Sequence, residues 1–162
     1  MKQWRFEVFN RSSVSDVHGN GVLDDIRELG ITTIEAVQSA KVFLIEADFE
    51  SDFAERVAKE LLSDPVAEEY YIGRSTAPAG LARATLIEVH LKSGVTDPVA
   101  QSVMTALSDM GAAEAHVRTA RKYVALSCVQ SLILTSMLPR RAQSAAQSLT
   151  SRGAANISLV FT

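Results

Sequence analysis

Histidine, cysteine and clustered cations are the residue types that most often build catalytic or metal sites. The chain offers three histidines, His18, His90 and His116, one cysteine, Cys128, and the basic run "RTARK" at 118–122. A metal site needs several ligands at set spacings, and no spacing among these histidines supports one. His18 falls in the first turn of an expected helix, where exposure is expected, and His90 and His116 fall in expected strands. A reactive thiolate needs a positive or helix-terminal setting and a base. Cys128 has basic residues only some distance back and reads as a buried, inert thiol. A lone cysteine also leaves no internal disulfide. "GNG" at 19–21 lacks the spacing of a phosphate loop and the Lys-Ser/Thr that should follow it. No catalytic, cofactor-binding or metal-ligating residue is therefore assigned. The remaining constellation is cationic. Arg118, Arg121 and Lys122 surround an expected hairpin, and Lys41 occupies the matching hairpin earlier in the chain. These four are read as partner contacts.

The elements that would position them follow from local chemistry. "WRFEVFN", residues 4–10, is apolar and β-favouring. Asp16 can cap a helix with Val22, Ile26 and Leu29 on one face, and Gly30 suits the left-handed residue after its end. Residues 33–47 hold too many β-branched side chains for a helix that long, so two strands turning near Ser39–Lys41 are predicted. Ser51 is expected to cap a second helix with Phe53, Val57 and Leu61 inward. That helix should stop at "SDP", because Pro65 disfavours helical geometry in the residue before it. Residues 66–72 close as a strand. "GRSTAPAGLAR", 73–83, has linker composition.

The same order then recurs. Residues 85–91 read as a strand. Asp97 is the N-cap, Pro98 the first helical residue, and Gly111 the C-cap residue. Val99, Val103, Leu107 and Met110 form the expected apolar face. Residues 114–126 match the earlier strand pair, a helix is expected within 136–151, and 155–161 is a final strand. Glu7-Val8, Asp16, Val22 and Gly30 reappear as Glu88-Val89, Asp97, Val103 and Gly111, all 81 positions on. Beyond Gly111 the offset drops to 80, a deletion that loops absorb more readily than packed elements. The expected fold is therefore α+β: two tandem ferredoxin-like (βαββαβ) halves with antiparallel sheets, related by a pseudo-twofold. Residues 1–73 form the first repeat, 74–83 the linker, and 84–162 the second. Phe6, Val8, Phe43 and Ile45 cannot share a sheet face with Val42 and Leu44, so both faces should be substantially apolar.

The chain of 162 residues is 47% hydrophobic and 22% charged, an ordinary globular composition. Its net charge of −3 conceals an asymmetry: residues 1–114 hold all 19 acidic residues against 10 Lys and Arg, and residues 115–162 hold 6 Lys and Arg and no acid. Such a bipolar molecule can orient against a partner or self-associate. "CVQSLILTSML", 128–138, is a further candidate for self-association. No apolar run approaches the roughly 20 residues needed to span a bilayer. "MKQWRFEV" has no apolar core of secretory type, so the cytoplasm is the expected compartment and no membrane partner is expected.

"EVFNRSSVSDVHGNGVLDDIRELG" followed by "VQSAKVFLIEA" resembles the small PurS subunit of phosphoribosylformylglycinamidine synthase. "IEVHLKSGVTDPVAQSVMTALSDMG" followed by "VRTARKYVAL" resembles it again. Two copies in one chain look like the amino-terminal region of large-type synthases. The chain departs from the family at Val17, where a proline is usual, and at Ala40 and Ala120, where glycine precedes the lysine. Residues 127–154, rich in Ser, Ala, Gln and Arg without acids, also differ in composition from the family's usual second helix. The resemblance implies a non-catalytic scaffold for de novo purine biosynthesis that bridges the synthetase and glutaminase parts of an ATP-dependent, glutamine-using C–N ligase. The complex would use ATP, Mg and glutamine, with none bound by this chain. The alternative is a tandem ACT-like amino-acid-sensing module, which needs a glycine-containing first turn. "KSGVTD" supplies one and "RSSVSD" does so poorly. RNA binding on an open sheet would need stacking aromatics and a basic rim. Phe43 and Tyr123 are candidates, but the first half is acidic, and no nucleic-acid partner is expected.

Overall fold

A computed structural model of the chain describes residues 1–73 and 84–127 in full and the backbone of 156–161. The elements are β1 (Lys2–Asn10), α1 (Val17–Glu28), β2 (Ile34–Ala47), α2 (Ser51–Arg56), a π-helical continuation (Val57–Leu62), β3 (Glu68–Ile72), β4 (Ala84–Leu91), α3 (Pro98–Asp109), β5 (His116–Ser127) and β6 (Asn156–Phe161). They build one sheet in the order β3-β1-β2-β5-β4-β6. The first five strands run antiparallel to their neighbours, and β6 joins β4 in parallel. The expected antiparallel pairing holds for five strands and the parallel β6 departs from it; the expected α+β class is met.

The two inner hairpins are not. Residues 34–47 form one continuous strand, and so do residues 116–127. The β-branched run is extended, as expected, but Ser39, Ala40 and Lys41 supply no glycine, proline or asparagine to turn it. Arg118, Arg121 and Lys122 therefore lie along a strand. The long strands pair with each other over most of their length, from Ile34 with Ser127 to Glu46 with His116. Only Ala40–Ala47 of β2 also pairs with β1.

Helix boundaries follow the local signals closely. α1 and α3 each end in a Schellman turn: Gly30 N–H donates to Arg27 and Ile31 N–H to Ile26, and Gly111 N–H donates to Ser108 and Ala112 N–H to Leu107. Gly30 and Gly111 hold φ of 80° and 100°, which only glycine adopts cheaply. Ser51 is not a cap. Glu50 occupies that position without a side-chain bond, and Ser51 is the first helical residue. The π-helical turn closes with Ser63 N–H and Oγ both donating to Ala58 O, and Pro65 forbids continuation.

The main core lies between the helices and one sheet face. Phe6, Val8, Phe43, Ile45 and Val117 meet Ala54, Val57, Ala58 and Leu62 from the second helix and Ala100, Val103 and Leu107 from α3. α1 sets Leu23 on Val37 and Ala125 of the same face. The expected inward faces hold at Val22, Ile26, Val103, Leu107 and Met110, but Leu29 and Val99 point outward at 77% and 54% exposure. The second sheet face is also apolar where Phe9, Ala40, Ala84, Leu86 and Val124 cluster. Both faces are thus buried, as the strand alternation requires. The linker residues 74–83, the apolar run 128–138 with Cys128, and the helix expected within 136–151 lie outside the described residues. Among the described residues, no helix is long and apolar enough to cross a membrane.

Gly19 shows how closely α1 sits on β2. A Cβ there would stand 2.4 Å from Val37 O and 2.6 Å from Asp16 Oδ2. In an open helix, glycine to alanine gains up to about 1 kcal/mol. Here Gly19→Ala is expected to lower stability by about 1–3 kcal/mol through overpacking. Urea unfolding checks this, and an unchanged or raised midpoint would refute the close approach.

Candidate functional site

Three features draw polar side chains together. The first is a pair of aspartate anchors. Asp16 accepts the N–H of Gly19 at 2.9 Å, the hydroxyl of Ser39 at 2.7 Å and the N–H of Ser39. Asp97 accepts the N–H of Ala100 at 2.9 Å, the hydroxyl of Thr119 at 2.7 Å and the N–H of Thr119 at 3.1 Å. Each carboxylate both caps its helix and ties it to a central strand. Partial burial alone would raise the Asp97 pKa, but donation from Ala100 and Thr119 outweighs it and holds the carboxyl below its usual value. Asp16 and Asp97 are 81 apart, and Ser39 and Thr119 are 80 apart. The caps were legible in the sequence; their hydroxyl partners lie about twenty residues downstream and carried no local signal.

The second feature is the seam between β2 and β5. Lys41 stands directly opposite Arg121 in the register. Paired residues share a face, here the helix-bearing one, since Phe43 lies two residues along from Lys41 in the main core. Lys41 Nζ is bound to Glu68 Oε1 at 2.6 Å. Both cations line a cleft of about 520 Å³ beside the start of α3, with Thr96, Thr119 and Tyr123.

The third feature is an ionic network on the opposite face. Lys122 Nζ meets Glu7 Oε2 at 2.6 Å. Arg5 binds Glu7 Oε1 at 2.7 Å and also binds Glu88, whose other oxygen lies 3.3 Å from His90 Nε2. Lys122 is fully buried, and Glu7 and Glu88 are 3% and 7% exposed. Phe9, Ala40, Lys122 and Glu88 stand in one row across four strands, and Val42 and Ala120 lie in the next. The small side chains Ala40 and Ala120 leave room for the long ones to lie across the sheet. Lys122 Nζ also lies 5.8 Å from the Phe9 ring centre, within cation–π range.

The four predicted contact residues thus separate. Arg118 is surface-borne, 73% exposed at its side chain, and reaches Glu46 at 3.2 Å. It lines a groove of about 630 Å³ with Trp4, Arg5, Leu44 and Ile72. Lys41 and Arg121 share the cleft of the other face. Lys122 is a correction: a lysine with no exposed surface, held by Glu7, belongs to the interior and not to a docking surface. Alternation along β5 carried that signal, since Lys122 shares its face with buried Val124. Phe43 is buried and unavailable for base stacking. His18 and His116 are exposed, as expected for His18. Among the described residues, no group of three His, Cys, Asp or Glu is arranged to hold a metal ion.

The segment that supplies Glu7, Asp16, Ser39 and Lys41 is also the one that a comparison identifies. Residues 3–75 match the family model of PurS, phosphoribosylformylglycinamidine (FGAM) synthase. That PurS-like segment runs from β1 to β3 and takes in α1, β2 and the second helix. It contains one aspartate anchor, one cation of the cleft, and Arg5 and Glu7 of the ionic network. No curated protein and no solved structure gives a match to the chain.

Proposed function

We propose that the chain is a scaffold component of FGAM synthase, acting in de novo purine biosynthesis by bridging the synthetase and glutaminase parts. The observation that carries this reading is the PurS match over residues 3–75. We extend it to residues 84–162 as a second PurS-like repeat, with 74–83 as the linker. Support comes from the central strand order, in which β1-β2 is mirrored by β5-β4, and from the duplicated Asp anchors; β6 departs from the mirror, since it joins β4 in parallel where β3 meets β1 antiparallel. In this reading the chain turns nothing over alone, and companion polypeptides handle ATP, Mg and glutamine. An ACT-like sensor is not favoured, because the family model that fits the first half is that of PurS.

The test is reconstitution. Mixed with the synthetase and glutaminase polypeptides, the chain should co-elute on gel filtration and support glutamine-dependent amidine formation. Absence of a complex would refute the scaffold role. Arg118→Glu reverses an exposed charge beside the 630 Å³ groove. It should weaken assembly several-fold, chiefly through slower association, and leave thermal unfolding unchanged. Assembly at the native rate would remove this groove from the interface. Self-association, a further expectation, is checked by light scattering.

A further inference from the structure

We propose that the cleft on the β2–β5 seam is a binding site for a small organic oxyanion, a phosphate monoester or a carboxylate, with Arg121 as its principal ligand. The inference does not rest on the scaffold role, although it uses the correspondence of the two halves proposed above.

It starts from a like-charge pair. Lys41 and Arg121 are directly opposed on adjacent antiparallel strands, and like charges so placed repel. On one side the structure relieves this internally: Lys41 reaches over β1 to Glu68 at the start of β3. The register makes Arg121 the counterpart of Lys41, since the two are 80 apart and paired with each other. An equivalent counter-ion would have to come from the stretch that follows β5. That stretch offers none, because residues 115–162 contain no Asp or Glu. Among the described residues, Arg121 forms no ion pair.

The nearby carboxylate does not fill the role. Asp97 also lines the cleft, but its oxygens are engaged by Ala100 and by the N–H and hydroxyl of Thr119. Glu7 and Glu88 are bound on the opposite face. Arg121 is left partly exposed beside a cleft of about 520 Å³, within the range of small-molecule sites. A guanidinium fork suits the two oxygens of a phosphate or carboxylate. Lys41, held by Glu68, borders the site, and Tyr123 and Thr96 add hydroxyls. Val89, Leu91 and Val99 supply an apolar wall for the organic body.

The test uses the full chain and three probes: inorganic phosphate, phenyl phosphate and benzoate, titrated by NMR at fixed ionic strength. Saturable shifts confined to the neighbourhood of Arg121, Thr119 and Val89 are expected. Phenyl phosphate tighter than benzoate assigns a phosphate monoester, and the reverse assigns a carboxylate. Arg121→Gln should weaken binding by about tenfold or more, the worth of a charge-assisted contact. Arg118→Gln, outside the cleft, should leave it unchanged. Failure of all three probes to saturate at millimolar concentration would overturn the site. So would native affinity in Arg121→Gln, or an equal loss in Arg118→Gln, which would indicate diffuse attraction to positive charge.

Discussion

Lys122→Met should cost about 3 kcal/mol of stability, the low end for removing one partner of a buried ion pair, because Arg5 still holds the stranded Glu7. The side chains are similar in length, so packing beside Phe9 and Ala40 is retained and the loss reports the charge. For a domain stable by about 5–15 kcal/mol this is a large fraction. The double variant Glu7→Gln/Lys122→Met should recover part of the loss, since both members of the pair are then neutral. Urea unfolding measures each corner of the cycle. A Lys122→Met midpoint equal to that of the parent would mean that the ammonium is not buried as described.

The second large effect falls on the aspartate anchors. Asp97→Ala removes a helix cap, worth about 1 kcal/mol, together with charge-assisted bonds to the N–H and hydroxyl of Thr119. A combined loss of about 3 kcal/mol is expected. The charge component can be separated by pH. The folded state holds the Asp97 pKa below its unfolded value, so its contribution is complete above the unfolded pKa. It is lost as pH falls through the depressed folded value. Asp97→Asn keeps a capping oxygen but does not titrate there. Its stability should therefore fall less steeply than the parent's below about pH 4. Parallel acid limbs would remove Asp97 from the balance.

Much of this architecture was legible from single residues. Asp16, Asp97, Pro98, Gly30 and Gly111 each have one inexpensive place in a helix, so α1 and α3 were fixed nearly to the residue. Alternation along the strands showed that both sheet faces were to be buried. What escaped was non-local. The β-branched content of 33–47 excludes a long helix but does not decide between one strand and two, because the partner that keeps it continuous, β5, lies about eighty residues away. The charged pairs Arg5–Glu88 and Glu7–Lys122 are 83 and 115 residues apart, distances at which no periodicity speaks. The expected hairpin at 118–122 puts Lys122 on the surface, and the continuous strand β5 puts it inside. Only its counter-charges across two strands make the interior tolerable.

The pairing of β2 with β5 also bears on how the chain emerges from the ribosome. One edge of β2 is met by β1 only at Ala40–Ala47, and the other waits for residues synthesised about eighty positions later. At elongation rates of about 5–20 residues per second, a fourteen-residue, largely apolar ribbon stays open for about 4–16 s. Glu35, Lys41 and Glu46 are spaced along that ribbon. Charges so placed discourage two nascent chains from zipping together before the proper mate arrives.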